Sequence, residues 1–583
     1  MAFNNFPYTN LHELNLDWVI SEVKEYLSKV DVLSVNVDTL NDLVANLQEE
    51  LDGIFTSEEF AETIIPLIQT EVYNWLDEHP EATTSVLDHS LSINKLVIGT
   101  LNYVTPQMFG AVGDGVTDDS TAVEQAAQAG IVLGGYKTYF IGNTIDIENS
   151  LYNCNFILDD LASVQVIEDN SNISNCTFKH DSYPATGNRG KWLLRLDHVK
   201  NATVENCSFS EGVSCLYLDT CDNITITKNK FVDIRQTEIG YNGYGVCTVE
   251  SKNIVISNNV FKNVARHSVY LSVNSDGTSG YNENIIISNN VFSWDSNVIG
   301  NTSGFECTIA IRPTNGVLIQ GNIFNNMFTA FATMPSLCTV AGSAGYHDST
   351  NVLLRNNFGT FSGNPRANAS GVITFNGTGS ANVPPINIDI SNNTFMYSSG
   401  AFIVWNAGKD INITGNNIIC SGSGTFVYIY STPDGNTTQN LSIENNTINA
   451  TNILILGGDT RNYGNISISK NKLTFSVLGT LGNGQTTSLI DTLYIVDNIL
   501  NTTANRAYFS NIPVTTFIAK SNYVPNQFAM YIAATNAPVT DPAFIGYGFN
   551  AAHPTVHVGG VMQSYTTGDV YISKSTGDWV QIT

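Results

Sequence analysis

Five short segments of the chain, "WLLRLD", "SCLYLD", "GVCTVE", "HSVYLS" and "CTIAIR", close on residues that can carry charge or move protons. These are Asp197, Asp219, Glu250, Ser272 and Arg312. Aligned by their ends, the segments place Leu196, Leu218, Val249, Leu271 and Ile311 in one inward ladder. The residue after each then stacks outward on rungs ~4.8 Å apart. Three acids on neighbouring rungs repel one another, and a surface with a purely structural duty does not favour them. Asp197, Asp219 and Glu250 are therefore the candidate catalytic acids. The same face carries Arg195, Tyr217 and Tyr270, with Tyr244, Arg266, His267 and Glu306 around the strand starts and Arg312 at the last rung. Acids, cations and aromatic platforms in this mixture suit sugars.

The separation of the acids bears on the reaction. Asp197 and Glu250, two rungs apart, lie nearer the ~6.5–9.5 Å of an inverting glycosidase than the ~5 Å of a retaining one. One acid would have its pKa raised by its neighbours and protonate the leaving group, and the other would activate water. That route needs no cofactor. A lyase would use His267, Arg266 or Arg312 as base, with Ca²⁺ held by the acids to neutralise a uronate. The spacing leaves both routes open, and a surface without catalysis stays open beside them, because 52 acids in one chain align by chance fairly often. Should the acids not act, the long stretch between Asn322 and Asn393, with His347, Asp348 and Arg366, is the next place to look. The sequence has no HExxH, no P-loop and no nucleophile elbow, which removes metalloprotease, nucleotide-dependent and serine-esterase chemistry.

What positions these strands is a repeat. "NIVISNNVF" fills residues 253–261 and "NIIISNNVF" fills 284–292. Written as a nine-residue template, it has Asn at position 7 as Asn229, Asn259, Asn290, Asn322, Asn357, Asn393, Asn416, Asn446, Asn471, Asn498 and Asn522. Two earlier copies carry Cys176 and Cys207 there. Successive copies are spaced from 22 residues (207 to 229) to 36 (357 to 393). Short alternating strands at such a period define a β-solenoid, in which each repeat is one coil and cannot bury its inner face alone. The period-2 pattern of Ile254 and Ile256 excludes helical repeats. Asn tolerates left-handed backbone, and its amide can bond to the same residue one coil away, so the template Asn reads as a turn ladder and not as a catalyst.

Composition agrees with this reading. The 583 residues are 42% hydrophobic and only 13% charged, which describes a folded chain with a surface of Asn, Ser, Thr and Gly. A net charge of −27 argues against a nucleic-acid partner. The nine cysteines, an odd number without CxxC pairs, read as buried thiols rather than disulfides or a zinc site. "MAFNNFPYTN" has neither the basic nor the apolar region of a signal peptide, and no apolar run reaches 18 residues. Synthesis in a cytoplasm without membrane insertion is expected.

Just before the repeats stands "FGAVGDGVTDDSTAVEQAAQAG", residues 109–130. This segment resembles the entry of the pectate lyase superfamily, the right-handed parallel β-helix of many polysaccharide-degrading enzymes and bacteriophage tailspikes. The motif covers residues 105–147, and the coil repeats extend the likeness to about residue 524. Asp119 or Ser120 is expected to cap the helix that follows, which would close the end of the solenoid. The resemblance implies a fold of mostly β structure and either of two functions. One is a tailspike or appendage that binds and depolymerises a host capsule or wall polymer, and the other is an adhesin or structural fibre without activity. A secreted pectinase fits less well, having no use for the N-terminal stalk described next.

That stalk is an α-helical coiled coil over residues 16–56. Leu16, Val19, Val23, Tyr26, Val30, Leu33, Val37, Leu40, Val44, Leu47, Leu51 and Ile54 alternate three and four apart. At ~1.5 Å per residue it would be roughly 60 Å long. Val and Leu at the core positions nominally favour two strands, whereas the tailspike resemblance implies a homotrimer. Residues 1–15, rich in aromatic and apolar side chains, are similar to the N-termini of tail and appendage proteins from phages of Gram-positive bacteria, which implies docking onto virion tail or neck proteins. Residues 57–104 read as a helical linker, 105–545 as the β-helix and 546–583 as a C-terminal β tip.

Overall fold

The computed structural model describes residues 103–182, 192–236, 242–273, 280–294, 307–326 and further runs between 333 and 581. The expected stalk and docking segment lie outside the described residues, as do the linker up to residue 102 and Glu306, His347, Asp348 and Arg366, and Cys338 is described only as part of the strand Ser336–Ala341. Two compact units divide the chain, residues 1–157 and 158–583.

In the first unit the entry segment folds as a 3-10 turn (Pro106–Phe109), a strand (Asp114–Asp118) and an α-helix (Ser120–Ala129). Val123, Ala126 and Ala127 bury the inner stripe of the helix. Asp119 occupies the N-cap position but makes no capping hydrogen bond with its side chain. Its carboxylate instead accepts the N–H groups of Val112 at 2.7 Å and Gly113 at 3.1 Å, holding the glycine-rich loop. The helix start is served by Asp118, whose Oδ1 accepts the Ser120 N–H at 3.0 Å and the Ser120 hydroxyl. The cap expected from Asp119 or Ser120 thus comes from one residue earlier, because the buried Asp119 is committed to the loop.

The second unit is a stack of coils, each built of three short strands. One coil consists of Ser214–Asp219, Asp222–Thr227 and Lys230–Ile234, and the next of Tyr244–Val249, Lys252–Ser257 and Val260–Val264. Each strand pairs in parallel with its counterpart one coil on, so three parallel sheets run along the stack. This is a parallel β-helix. Within a strand every second residue points inward. Ile224, Ile254, Ile285 and Val317 stack in register inside one sheet, all buried. Inside another, Phe178, Phe209, Phe231, Phe261, Phe292 and Phe324 form a column of rings 4.7 to 5.0 Å apart. Beyond the last parallel rungs come Phe544–Gly546, Val561–Ser564, Val570–Ser575 and Asp578–Gln581, a separate four-stranded sheet.

The template asparagines form the ladder that the sequence implies. Asn259 donates its backbone N–H at 2.9 Å and its Nδ2 at 3.0 Å to Oδ1 of Asn290, and its Nδ2 also reaches the Ile226 carbonyl at 2.9 Å. The pattern runs from Asn229 to Asn522. Left-handed backbone, however, belongs to the preceding position, as at Asn258, Asn289 and Asn356 with φ of 57°, 55° and 53°. One residue turns the chain and the next bridges the coils. Cys207 stands in for Asn at the ladder's start, its N–H donating to Asn229 Oδ1 at 2.8 Å. None of the eight cysteines with described side chains forms a disulfide, and all are buried.

Candidate functional site

The five strands of the candidate site lie side by side in one parallel sheet: Leu194–Asp197, Ser214–Asp219, Tyr244–Val249, His267–Ser272 and Cys307–Ile311. Asp197 stands opposite Asp219, as the strand ends imply. The third strand differs by one residue. Thr248, not Val249, continues the inward ladder of Leu196, Leu218 and Leu271, and Val249 stands between Asp219 and Ser272. The cause is the buried turn that follows. Ser251 Oγ accepts the Cys221 N–H at 3.1 Å and donates to the Val249 carbonyl at 2.9 Å, which levels Ser251 with Cys221 and so Val249 with Asp219.

Glu250 is therefore moved out of the acid column. It falls at a left-handed turn position with φ 50°, beside Thr220 (53°) and His198 (58°). The column reads Asp197, Asp219, Val249 and Ser272, with Val249 buried in a cluster with Trp192, Tyr244 and Cys247, and the N–H of Arg312 bonds to the Leu271 carbonyl, placing it at the next rung.

Beside this column the face is aromatic. Trp192 stacks on Tyr217 at 4.9 Å and on Tyr244 at 5.7 Å between ring centroids, and Tyr244 stacks on Tyr270 at 5.3 Å. His267 lies against Tyr244 and Tyr270, and its Nδ1 pairs with the Cys307 carbonyl at 2.9 Å. The ring is buried, so this geometry anchors it beneath the tyrosines. The Arg195 guanidinium sits 5.5 Å from the centre of Tyr217. That of Arg266 sits 5.2 Å from the centre of Tyr244 and donates to its hydroxyl. Such cation–ring contacts are worth ~0.5–2 kcal/mol and fix the guanidinium planes.

The acids are bound into the same surface. Asp219 accepts the Tyr217 hydroxyl at 3.4 Å and the Thr220 hydroxyl at 3.1 Å. Burial, with Cys247 and Asp219 nearby, pushes the Tyr217 phenol well above its usual range, so it stays a neutral donor. Asp197 Oδ1 pairs with His198 Nδ1 at 2.5 Å. Neighbouring residues of a straight strand point to opposite faces, and it is the left-handed backbone of His198 that returns its ring to Asp197. Trp192 and His198 were not singled out in the sequence. The signals were there, a tryptophan at the start of "WLLRLD" and a histidine directly after its acid. Among the described residues no cluster of His, Cys, Asp and Glu is arranged to hold a metal ion, and no helix is long and apolar enough to cross a membrane.

The site thus combines a stacked aromatic platform, two clamped guanidinium groups and two carboxylates on adjacent rungs of a parallel β-helix. No family model matches the sequence. Over 53 residues, 9% of the chain, it is 42% identical to a capsule KN3-specific depolymerase of Klebsiella phage KN3-1, and the match spans 7% of that relative's length. Among solved structures, the chain is similar to the tailspike of E. coli bacteriophage HK620 in complex with a hexasaccharide. The identity is 11%, over 82% of this chain and 90% of that one, with a TM-score of 0.44. For the Dettilon tailspike protein the identity is 14%, over 81% and 76%, with a TM-score of 0.42. For the adhesin PfbA of Streptococcus pneumoniae it is 14%, over 71% and 100%, with a TM-score of 0.35. What the chain resembles are phage tailspike proteins and other parallel β-helix proteins.

Proposed function

We propose that the protein is a phage tailspike or appendage that binds a host cell-surface glycan on the Trp192–Tyr217–Tyr244–Tyr270 face and cleaves it with Asp197 and Asp219. The observation that carries this reading is the register pairing of the two acids beside a platform on which Arg195 and Arg266 are already clamped. Tyr217 and Tyr270, only partly buried, are the rings left to meet a sugar, and guanidinium groups bind hydroxyls or carboxylates. The 53-residue likeness to a phage capsule depolymerase supports the same reading. Adjacent rungs lie ~4.8 Å apart, so the two carboxyls are within reach of the ~5–5.5 Å separation of retaining glycosidases. With Glu250 off the column, the pair that remains fits a retaining hydrolase, whereas Asp197 with Glu250 lay nearer the inverting range. Hydrolysis by two carboxyls calls for no cofactor, and Ca²⁺ would enter only in a lyase.

The test uses purified full-length protein and host capsule or wall polymer, with assays for reducing ends and for unsaturated uronates. Reducing ends are expected. Asp197→Asn with Asp219→Asn should lower cleavage by ~10²-fold or more, since acid and base catalysis each supply roughly 10²- to 10⁴-fold. Binding should persist. Unsaturated uronates would replace the hydrolase with a lyase, and normal cleavage by the double variant would move the site elsewhere.

A second reading, an adhesin without activity, is favoured by one observation: Trp192 and Tyr244 are only 7% and 6% exposed, a degree of burial suited to a small core as well as to a platform. Absence of any cleavage product together with retained binding would select it.

The same proposal covers the rest of the molecule. The coiled coil of residues 16–56 would join three chains, residues 1–15 would dock on the virion, and the protein would be made in the host cytoplasm. Its β-helix would have the right-handed crossovers usual for parallel strands. The outward column of Val260, Val291, Ile323 and Phe358, the last 49% exposed, supports side-by-side association of such chains.

A further inference from the structure

We propose a second saccharide-binding site, for an uncharged oligosaccharide, on a different sheet and several coils beyond the first. It is a shallow groove of about 550 Å³ over the strands Ile386–Ser391, Lys409–Thr414, Gln439–Glu444, Asn462–Ser469 and Leu489–Val496.

Two columns of side chains make it. Asn412, Ser442, Ser467 and Tyr494 stand opposite one another on successive strands. Their neighbours Ile411, Ile413, Leu441, Ile443, Ile466, Ile468, Leu493 and Ile495 are buried, so these four point outward. Alongside runs a second amide ladder, distinct from the buried one, which the earlier coils also carry at Asn223, Asn253, Asn284 and Asn351. Asn440 Nδ2 donates to Asp410 Oδ1 at 2.7 Å, and Asn465 Nδ2 donates to Asn440 Oδ1 at 3.2 Å. These bonds orient the carboxamides before any ligand arrives, and each amide keeps a second N–H and a further lone pair to offer.

The chemistry of the lining selects the ligand. Amides and hydroxyls both donate and accept, as sugar hydroxyls do. Asp410 is the single charged group among the described lining residues, and no Lys or Arg is among them, although the chain as a whole carries −27. An acidic glycan would therefore meet no counter-charge here, while a neutral one loses nothing. At one end stands Tyr494, 37% exposed, a ring on which the apolar face of a sugar can stack. Polar groups repeat at the rung spacing of ~4.8 Å, so the groove presents several contacts in a line to an extended chain. The inference rests on the reading that the protein engages glycans, and not on cleavage.

The test is an array of neutral and uronate-bearing bacterial glycans probed with the full-length protein, with Tyr494→Ala, Tyr494→Phe and Arg195→Ala, each checked for folding by thermal melting. We expect signals on neutral glycans that fall about tenfold in Tyr494→Ala, the size of one aromatic stacking contact, and return in Tyr494→Phe. Those signals should survive Arg195→Ala. The groove is overturned if no neutral-glycan signal depends on Tyr494. Signals that depend on Arg195 alone would leave the first site standing without the second, and signals that depend on neither would remove both.

Discussion

Each buried asparagine of the main ladder satisfies donors that water cannot reach. Asn290 Oδ1 accepts both the N–H and the Nδ2 of Asn259, and its own Nδ2 reaches the Ile256 carbonyl at 2.8 Å. Asn290→Leu should cost about 1–3 kcal/mol for each donor left unpaired, read as a fall in melting temperature, with glycan binding unchanged. Loss of binding at an unchanged melting temperature would contradict a structural role. At the entry loop, burial works against ionisation of Asp118, yet hydrogen bonds from Ser120 and Gly142 outweigh it and hold the carboxyl below its ordinary value of 3.8. The folded chain therefore favours the carboxylate. Its stabilisation is present above the unfolded value and is lost as pH falls through the lower folded one. Asp118→Asn should be less stable than wild type at pH 7, and urea denaturation should show the difference shrinking below pH 3.8. The ladder asparagines were legible because one chemical demand recurs at one template position. The division of labour inside the "NN" pair was not, since either Asn can turn the chain or bridge the coils, and only backbone angles distinguish them.

At the scale of the strand, register decides which residues share a face, and a slip of one residue reverses every side chain. The acidic ends of "GVCTVE" and "SCLYLD" are out of register by one residue. Counting from the ladder shows it: Asn229 and Asn259 are 30 apart, and Asp219 plus 30 is Val249. The acid after an apolar run is a weak marker because a turn also favours it, whereas the ladder Asn is tied to its neighbours by hydrogen bonds. The phenylalanine column shows the same rule from its exception. Gly359 stands where Phe324 is continued, so the rings of Phe361 and Phe395 close over the gap. A Cβ at Gly359 would lie 2.9 Å from atoms of both rings. Gly359→Ala should therefore destabilise the fold by about 1–3 kcal/mol, measured by denaturant unfolding, even though alanine is the smallest step available.

For the whole molecule, the uninterrupted heptads of residues 16–56 and the exposed apolar column ending at Phe358 lead to one expectation. Sedimentation of the intact chain should return about three times 63.3 kDa, and a mass near 63.3 kDa would overturn the trimer. The β-solenoid was legible from the period of the repeat, while the exposed apolar column was not, because an outward apolar residue is recognised only once register is known. The ladder has a direction as well. Every template asparagine from Asn229 to Asn498 gives its backbone N–H to the coil that follows, and its amide also reaches a carbonyl of the coil before. A turn is finished only when the next coil has been laid upon it. A solenoid laid down coil by coil from its N-terminal end would carry one incomplete turn at its advancing edge, each new coil completing the last turn while opening its own. The N-to-C order of synthesis is one in which each coil arrives beside the turn that it completes.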